Sequence, residues 1–545
     1  MDSSGTESIF GQAVELTVQP KELLMERPQI LTLGELRHSG YEVLPVKEEM
    51  RRNLVKKLKS KQPLFPGIIG YEETVIPQIV NAILARHDII LLGLRGQAKT
   101  RLARLLVNLL DEWTPVIKGS EINDDPYHPI SYHAAQLVKE YGDATPIEWV
   151  HRSDRYGEKL ATPDVTIADM IGDIDPLKAA HQKLHYSHEG AIHFGLVPRS
   201  NRGIFTINEL PDLQPRIQVG LFNLLEERDI QIRGFNIRMP LDIMVVFTAN
   251  PEDYTNRGNI ITPLKDRIAS QIITHYPLTM ENAIKITEQE AWTKRFGEEG
   301  VVIPQYFKEI IEQIAFEARE SDFVDQKSGV SARLTISAME TLVSNAERRA
   351  ILNEDNVIVP RVTDLAFVTP AVTGKVELVF EGEQEGMAKV AKALVGKSVK
   401  STFKRYFPDP NMRERQKRDE RAAERYDIRS ERSGQGQQKP TEYDELLRWF
   451  SQGNIVALRD TMPFNAYYDE LSRVPRLREI TARHMSIQEV NKFELASAME
   501  FVLDALHQHS KLAKDESSES EISYKDMVGS IFRRPTSEDE EEDDN

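Results

Sequence analysis

A short apolar stretch, HDIILL, runs without a break into GLRGQAKT and then into RLARLLVNLLDEW, a run of helical period. No other feature constrains the fold as much, because strand, glycine-bearing loop and helix in that order are the context that a phosphate-binding loop requires. Gly93 and Gly96 let the backbone curl so that successive amides face an anion. Lys99 can reach terminal phosphates, and Thr100 can place its hydroxyl on a magnesium ion. Gln97 and Ala98 complete the loop. Ala98 stands where the common pattern GxxxxGK(S/T) carries glycine. Its methyl is tolerated at negative φ and costly in a left-handed conformation. The plainer reading of the segment is a glycine-bearing turn ahead of an ordinary helix.

Two further apolar strands follow in order. GIFTINEL presents Asn208 and Glu209 at its polar exit, where parallel sheets present their chemistry. Phosphate-loop ATPases usually carry aspartate then glutamate there, the first holding magnesium through its water shell and the second polarising the attacking water. Asn208 keeps the hydrogen-bonding shape and lacks the charge. IMVVFTAN places Asn250 at its exit, where an amide could hold the attacking water; a turn residue before proline is the alternative. Arg267 in PLKDRIAS and Arg333 in GVSARLTISAME suit charge developing on a transferring phosphoryl group, or plain surface ion pairing.

A length of 545 residues points to two or three domains. Residues 1–62 read as an N-terminal arm with a basic helical stretch before Pro63, and 63–279 as an α/β domain with a parallel sheet. Residues 280–400 read as a helical lid, 401–440 as a charged connector and 441–515 as a C-terminal helical module. The span 516–545 reads as a disordered acidic tail. Ser486 and Glu489 form a capping-box pattern ahead of FELASAMEFVLDALHQH. No cysteine occurs, which removes disulfides and thiolate chemistry. The formal net charge of -17 argues against a nonspecific grip on nucleic acid or anionic lipid. Neither a leader nor a membrane span is evident, so the expected location is cytoplasmic.

Taken in order, GLRGQAKT, GIFTINEL, VFTANPEDY, PLKDRI and SARLTISA resemble the AAA+ ATPases of the magnesium chelatase and MoxR clade, over roughly residues 63 to 385. The approach FGLVPRSNRGIFTINELPDL is especially similar. That resemblance implies an insertion near Ile171–Ala191, a lid after the sheet, and ATP with Mg2+ bound between subunits of a homo-oligomeric ring, commonly a hexamer. It implies that Lys99 and Thr100 bind phosphate and metal, and that Asn208 lies in the metal's outer shell. Glu209 would activate water, Asn250 sense the terminal phosphate, Arg267 reach in from a neighbour and Arg333 couple the lid. Ile68, Ile69 and Gly70, in PGIIGYEE, match the stretch that flanks the adenine. The expected activity is ATP hydrolysis that remodels a protein client, with a separate von Willebrand A domain protein as one candidate. A chelatase subunit driving metal insertion into a porphyrin, or a slow nucleotide-gated scaffold, are the alternatives.

Overall fold

The computed structural model describes residues 26–181, 188–232, 238–250, 259–295, 300–411, 441–488, 490–518 and 521–527. At its centre lies a parallel sheet of five strands: β1 (Ile89–Leu92), β2 (Tyr156–Leu160), β3 (Gly203–Asn208), β4 (Ile243–Ala249) and β5 (Ser270–Ile273). Their order across the sheet is β5-β1-β4-β3-β2. Two of the three inner strands, GIFTIN and IMVVFTA, are buried at every position, which is why they read as continuous apolar runs. Register brings the carboxyl ends level, with Leu92 opposite Ala249 and Ile273, and Leu160 opposite Asn208. Whatever follows each strand therefore collects along one edge.

Helices α1 (Val46–Lys59), α2 (Val75–Leu84) and α3 (Lys99–Leu105) cover one face. There Met50, Leu54, Ile79 and Leu102 pack with Ile89, Leu91 and Val246. The other face buries Phe205, Ile207 and Phe247 beneath Leu221, Leu224 and Leu264. The arm expected over residues 1–62 is thus part of the α/β core from α1 onward. A buried ion pair between Glu49 of α1 and Arg155 (2.7 Å) adds a charge-assisted link. In the region expected to carry an insertion, Gly172–Ile174 pairs antiparallel with Ile192–Phe194.

After the sheet come the helices of the expected lid: α4 (Met280–Glu290), α5 (Gln305–Arg319), α6 (Arg333–Asn353) and α7 (Met387–Tyr406). The C-terminal helical region is also present, its longest member being α8 (Lys492–Gln508). One hydrophobic core serves both: Phe307, Leu342 and Phe403 are continuous with Phe450, Tyr467, Phe501 and Tyr524. Tyr306 stacks on Phe501 with ring centroids 4.8 Å apart, and the Glu500 carboxylate accepts from the backbone N–H groups of Val362 (3.0 Å) and Thr363 (2.9 Å).

Three readings of this region are corrected. The cap of α8 is Asn491, whose side chain accepts from the Glu494 N–H (3.3 Å), and Ser486 instead closes the preceding helix in a left-handed conformation. Glu489 lies outside the described residues. The C-terminal region also carries an antiparallel sheet of β6 (Val456–Arg459), β7 (Leu512–Ser518) and β8 (Glu521–Asp526), in the order β6-β8-β7. Ordered strand therefore extends into the span read as a tail, because Ile522 and Tyr524 alternate inward and are buried. The charged stretch 412–440 and the acidic end, 528–545, lie outside the described residues. Among the described residues no helix is long and apolar enough to cross a membrane.

Candidate phosphate-binding site

The loop between β1 and α3 is held tightly from behind. A Cβ on Gly93 would stand 2.0 Å from Thr274 Oγ1, so only glycine fits. Thr274 donates to Gln97 Oε1 (2.7 Å), which turns the buried Gln97 side chain toward β5. The Tyr71 hydroxyl contacts the carbonyl oxygens of Gln97 (3.0 Å) and His275 (2.7 Å). Lys99 is buried, and its ammonium donates to the carbonyls of Gly93 and Leu94 (3.0 Å), staying over the loop. Ala98 has φ 57° and ψ 17°. The left-handed conformation that is costly for alanine is the one adopted, at about 1–2 kcal/mol.

Beside the loop, three oxygen-bearing side chains converge. Thr100 Oγ1 at the start of α3 lies 3.4 Å from Asn208 Oδ1, and Thr248 Oγ1 donates to the same oxygen at 3.1 Å. The Glu209 N–H donates to Thr248 Oγ1 (3.2 Å), and Glu209 itself is left-handed, φ 54° and ψ 52°. A non-glycine residue held this way costs energy that the surrounding sheet offsets, a pattern that concentrates at functional positions. The Glu209 side chain is half-buried at the strand exit, as is Asn250 after β4. Hydroxyl and amide oxygens suit a small hard cation such as Mg2+, and Thr100 and Asn208 are the residues that could hold one.

Sequence reasoning missed the neighbour that completes this cluster. Glu158 on β2 accepts from Asn208 Nδ2 (3.0 Å). It also takes a two-pronged pair from Arg104, Nε at 2.8 Å and the terminal nitrogen at 2.9 Å, and a bond from the Tyr156 hydroxyl (3.0 Å). Arg104 holds the Glu158 carboxyl below the usual carboxylate range. The strand YGEKL has no apolar run and lies at the sheet edge, so nothing in its composition announces it. Thr248 was legible only as part of IMVVFTAN.

The lid rests on the loop. A Cβ on Gly96 would stand 2.2 Å from Ser331 Oγ, just ahead of α6. Arg95, inside the loop, donates to Ser328 Oγ (2.6 Å) and pairs with Glu377 (2.6 Å). Arg333 begins α6 with its side chain exposed, two residues from the Gly96 contact. On the other side Gly70 packs against Asn282 of α4, and Gln289 Nε2 donates to the Gly67 carbonyl (3.0 Å). Ile69 lies half-buried in that seam. Arg267 is farther round the domain. It donates to Glu226 (2.8 Å) and the Pro263 carbonyl (2.8 Å), and its guanidinium lies 4.6 Å from the Phe222 ring centroid. Along the carboxyl edge of the sheet the chain brings the loop residues together with Asn208, Glu209 and Asn250; Arg267 lies elsewhere, and Arg333 is placed near the loop only through its neighbour Ser331.

No protein-family model and no curated protein matches the sequence. Solved structures similar to it include one from a complex of subunits BchI and BchD of magnesium chelatase, at 17% identity over 59% of this chain and 99% of that chain, TM-score 0.30. Another is a RuvB mutant from Thermotoga maritima, at 11% identity over 63% of this chain and 80% of that chain, TM-score 0.33. A third is NtrX from Brucella abortus, at 12% identity, 53% and 54% coverage and TM-score 0.31, so the chain spans about half the length of that protein.

Proposed function

We propose that this chain is an ATP hydrolase of the AAA+ type, similar to the magnesium chelatase and MoxR ATPases. It binds ATP with Mg2+ at the loop between β1 and α3 and works in a homo-oligomeric ring, a hexamer being the natural closure. The observation that carries the reading is the meeting of Thr100, Thr248 and Asn208 oxygens beside a lysine-bearing glycine loop at the carboxyl edge of a parallel sheet. ATP with its metal supplies the anhydride to be cleaved and most of the charge to be compensated. Lys99 compensates the terminal phosphates as its ammonium exchanges loop carbonyls for phosphate oxygens. Glu209 orients and polarises the attacking water, and Asn250 holds that water or the terminal phosphate.

Arg333 and the Arg95 contacts tie nucleotide state to the position of the lid, which is how turnover would move a protein client. Arg267 serves the site of the next subunit and gives up its Glu226 partner on assembly. A slow, nucleotide-gated scaffold is the second reading. It is favoured by one observation: Asn208 is neutral and the nearby Glu158 is already paired with Arg104. Binding of ATP and its hydrolysis, measured on the parent, Lys99→Ala and Glu209→Gln, test the proposal. Lys99→Ala is expected to abolish binding, whereas Glu209→Gln binds without turnover; ATP affinity unchanged in Lys99→Ala refutes the site.

A further inference from the structure

Asparagine at 208 poses a problem that aspartate would not. An aspartate offers oxygen on both sides, whereas an amide offers oxygen on one side and an NH2 group, a donor that repels a cation, on the other. Which side faces the metal position depends on what the other side meets. Here the far side meets Glu158, whose ionised carboxylate can only accept. A flipped amide would set two oxygens against each other at 3.0 Å, so the carboxylate fixes Nδ2 toward β2 and turns Oδ1 toward Thr100 and Thr248. Arg104 and the Tyr156 hydroxyl in turn hold Glu158 in place.

We propose that Glu158 is a positioning residue for metal binding: it fixes the Asn208 amide with its oxygen toward the Thr100 hydroxyl, so that a neutral side chain can serve where a carboxylate is usual. This deepens the nucleotide-site reading and rests on it. The alternative is that Glu158 only pins edge strand β2 to α3 through Arg104.

The test titrates ADP binding with and without MgCl2 in four full-length proteins: the parent, Glu158→Gln, Asn208→Asp and the double variant. Glu158→Gln is expected to leave ADP affinity without metal unchanged and to weaken the magnesium-dependent gain about 10-fold, the size typical of outer-shell changes. In the Asn208→Asp background the side chain offers oxygen on both sides and needs no orienting, so Glu158→Gln is expected to change the magnesium-dependent gain far less than it does in the parent. A merely structural role would lower affinity or stability alike in both backgrounds, and that result overturns the proposal. So does a magnesium dependence unchanged by Glu158→Gln. Should Glu158→Gln fail to fold, Glu158→Asp keeps the charge for Arg104, shortens the reach to Asn208 and is read in the same way. A parent that binds no ADP under either condition refutes the nucleotide site itself, whereas a binding parent with an indifferent Glu158 refutes only this role.

Discussion

Glu312 of α5 is a carboxyl group inside the lid, 4% exposed, whose oxygen accepts from the Thr287 hydroxyl of α4; Thr287 in turn contacts Thr335 of α6 (2.9 Å). Burial pushes it up to about 7, against 4.5 when exposed, opposed by the hydrogen bonds from Thr287 and Thr335 and by the charge of Arg319. A raised carboxyl means that between pH 4.5 and 7 the fold binds more protons than the unfolded chain, so stability falls as pH rises through that window and levels off above it. At about 1.4 kcal/mol per pH unit the loss is on the order of 3 kcal/mol. Glu500, also pushed up to about 7 by burial, contributes a loss of the same sign, so pH dependence of the parent alone does not isolate Glu312. Glu312→Gln does, because the amide keeps an acceptor for Thr287 and cannot ionise. Urea unfolding followed by tryptophan fluorescence at pH 5 and pH 8 reads the difference. The variant is expected to match the parent within about 1 kcal/mol at pH 5 and to exceed it by on the order of 3 kcal/mol at pH 8. An equal difference at both values refutes the reasoning, since it would mean that ionisation of Glu312 costs the fold nothing.

Three other outcomes follow from the site. Ala98→Gly relieves a left-handed alanine, about 1–2 kcal/mol, against the extra freedom glycine gives the unfolded chain, about 0.4–1 kcal/mol. Thermal unfolding should shift slightly upward, and a downward shift argues against strain in the loop. Gly96→Ala has no room beside Ser331 and requires φ of 76° from an alanine, so the segment before α6 must lift away from the loop. Faster amide exchange at Val330–Arg333 with weaker ATP binding is expected; unchanged exchange means the lid does not rest on the loop in solution. Arg267→Ala should bind ATP and hydrolyse it poorly, and mixing it with Glu209→Gln should restore turnover at interfaces where an intact Glu209 meets an intact Arg267. No recovery in confirmed mixed assemblies counts against action across a subunit boundary.

What the sequence disclosed follows burial. Strands β1, β3 and β4 are buried on both faces and announced themselves as apolar runs, and the loop after β1 came with its glycines and lysine in order. Edge strands β2 and β5 carry mixed residues because one side faces solvent, so YGEKL and SQII passed unread, and Glu158 with them. Ala98 could be posed only as a condition, since residue identity does not set φ. The boundary between lid and C-terminal region was drawn at a change in composition, but composition does not report that Phe307 and Phe501 share one core. Ser486 and Glu489 matched a capping pattern that Asn491 and Glu494 satisfy five residues later.

That shared core has a mechanical meaning. Packing at native density transmits displacement rather than absorbing it, so the described helices and strands that share this core, from α5 to β8, form one stiff body. Its bearing against the sheet domain includes Ser328 and Glu377, both held by Arg95 of the loop between β1 and α3. If that loop carries nucleotide as proposed, a load on the far C-terminal strands reaches it through Arg95, and turnover should respond to the load.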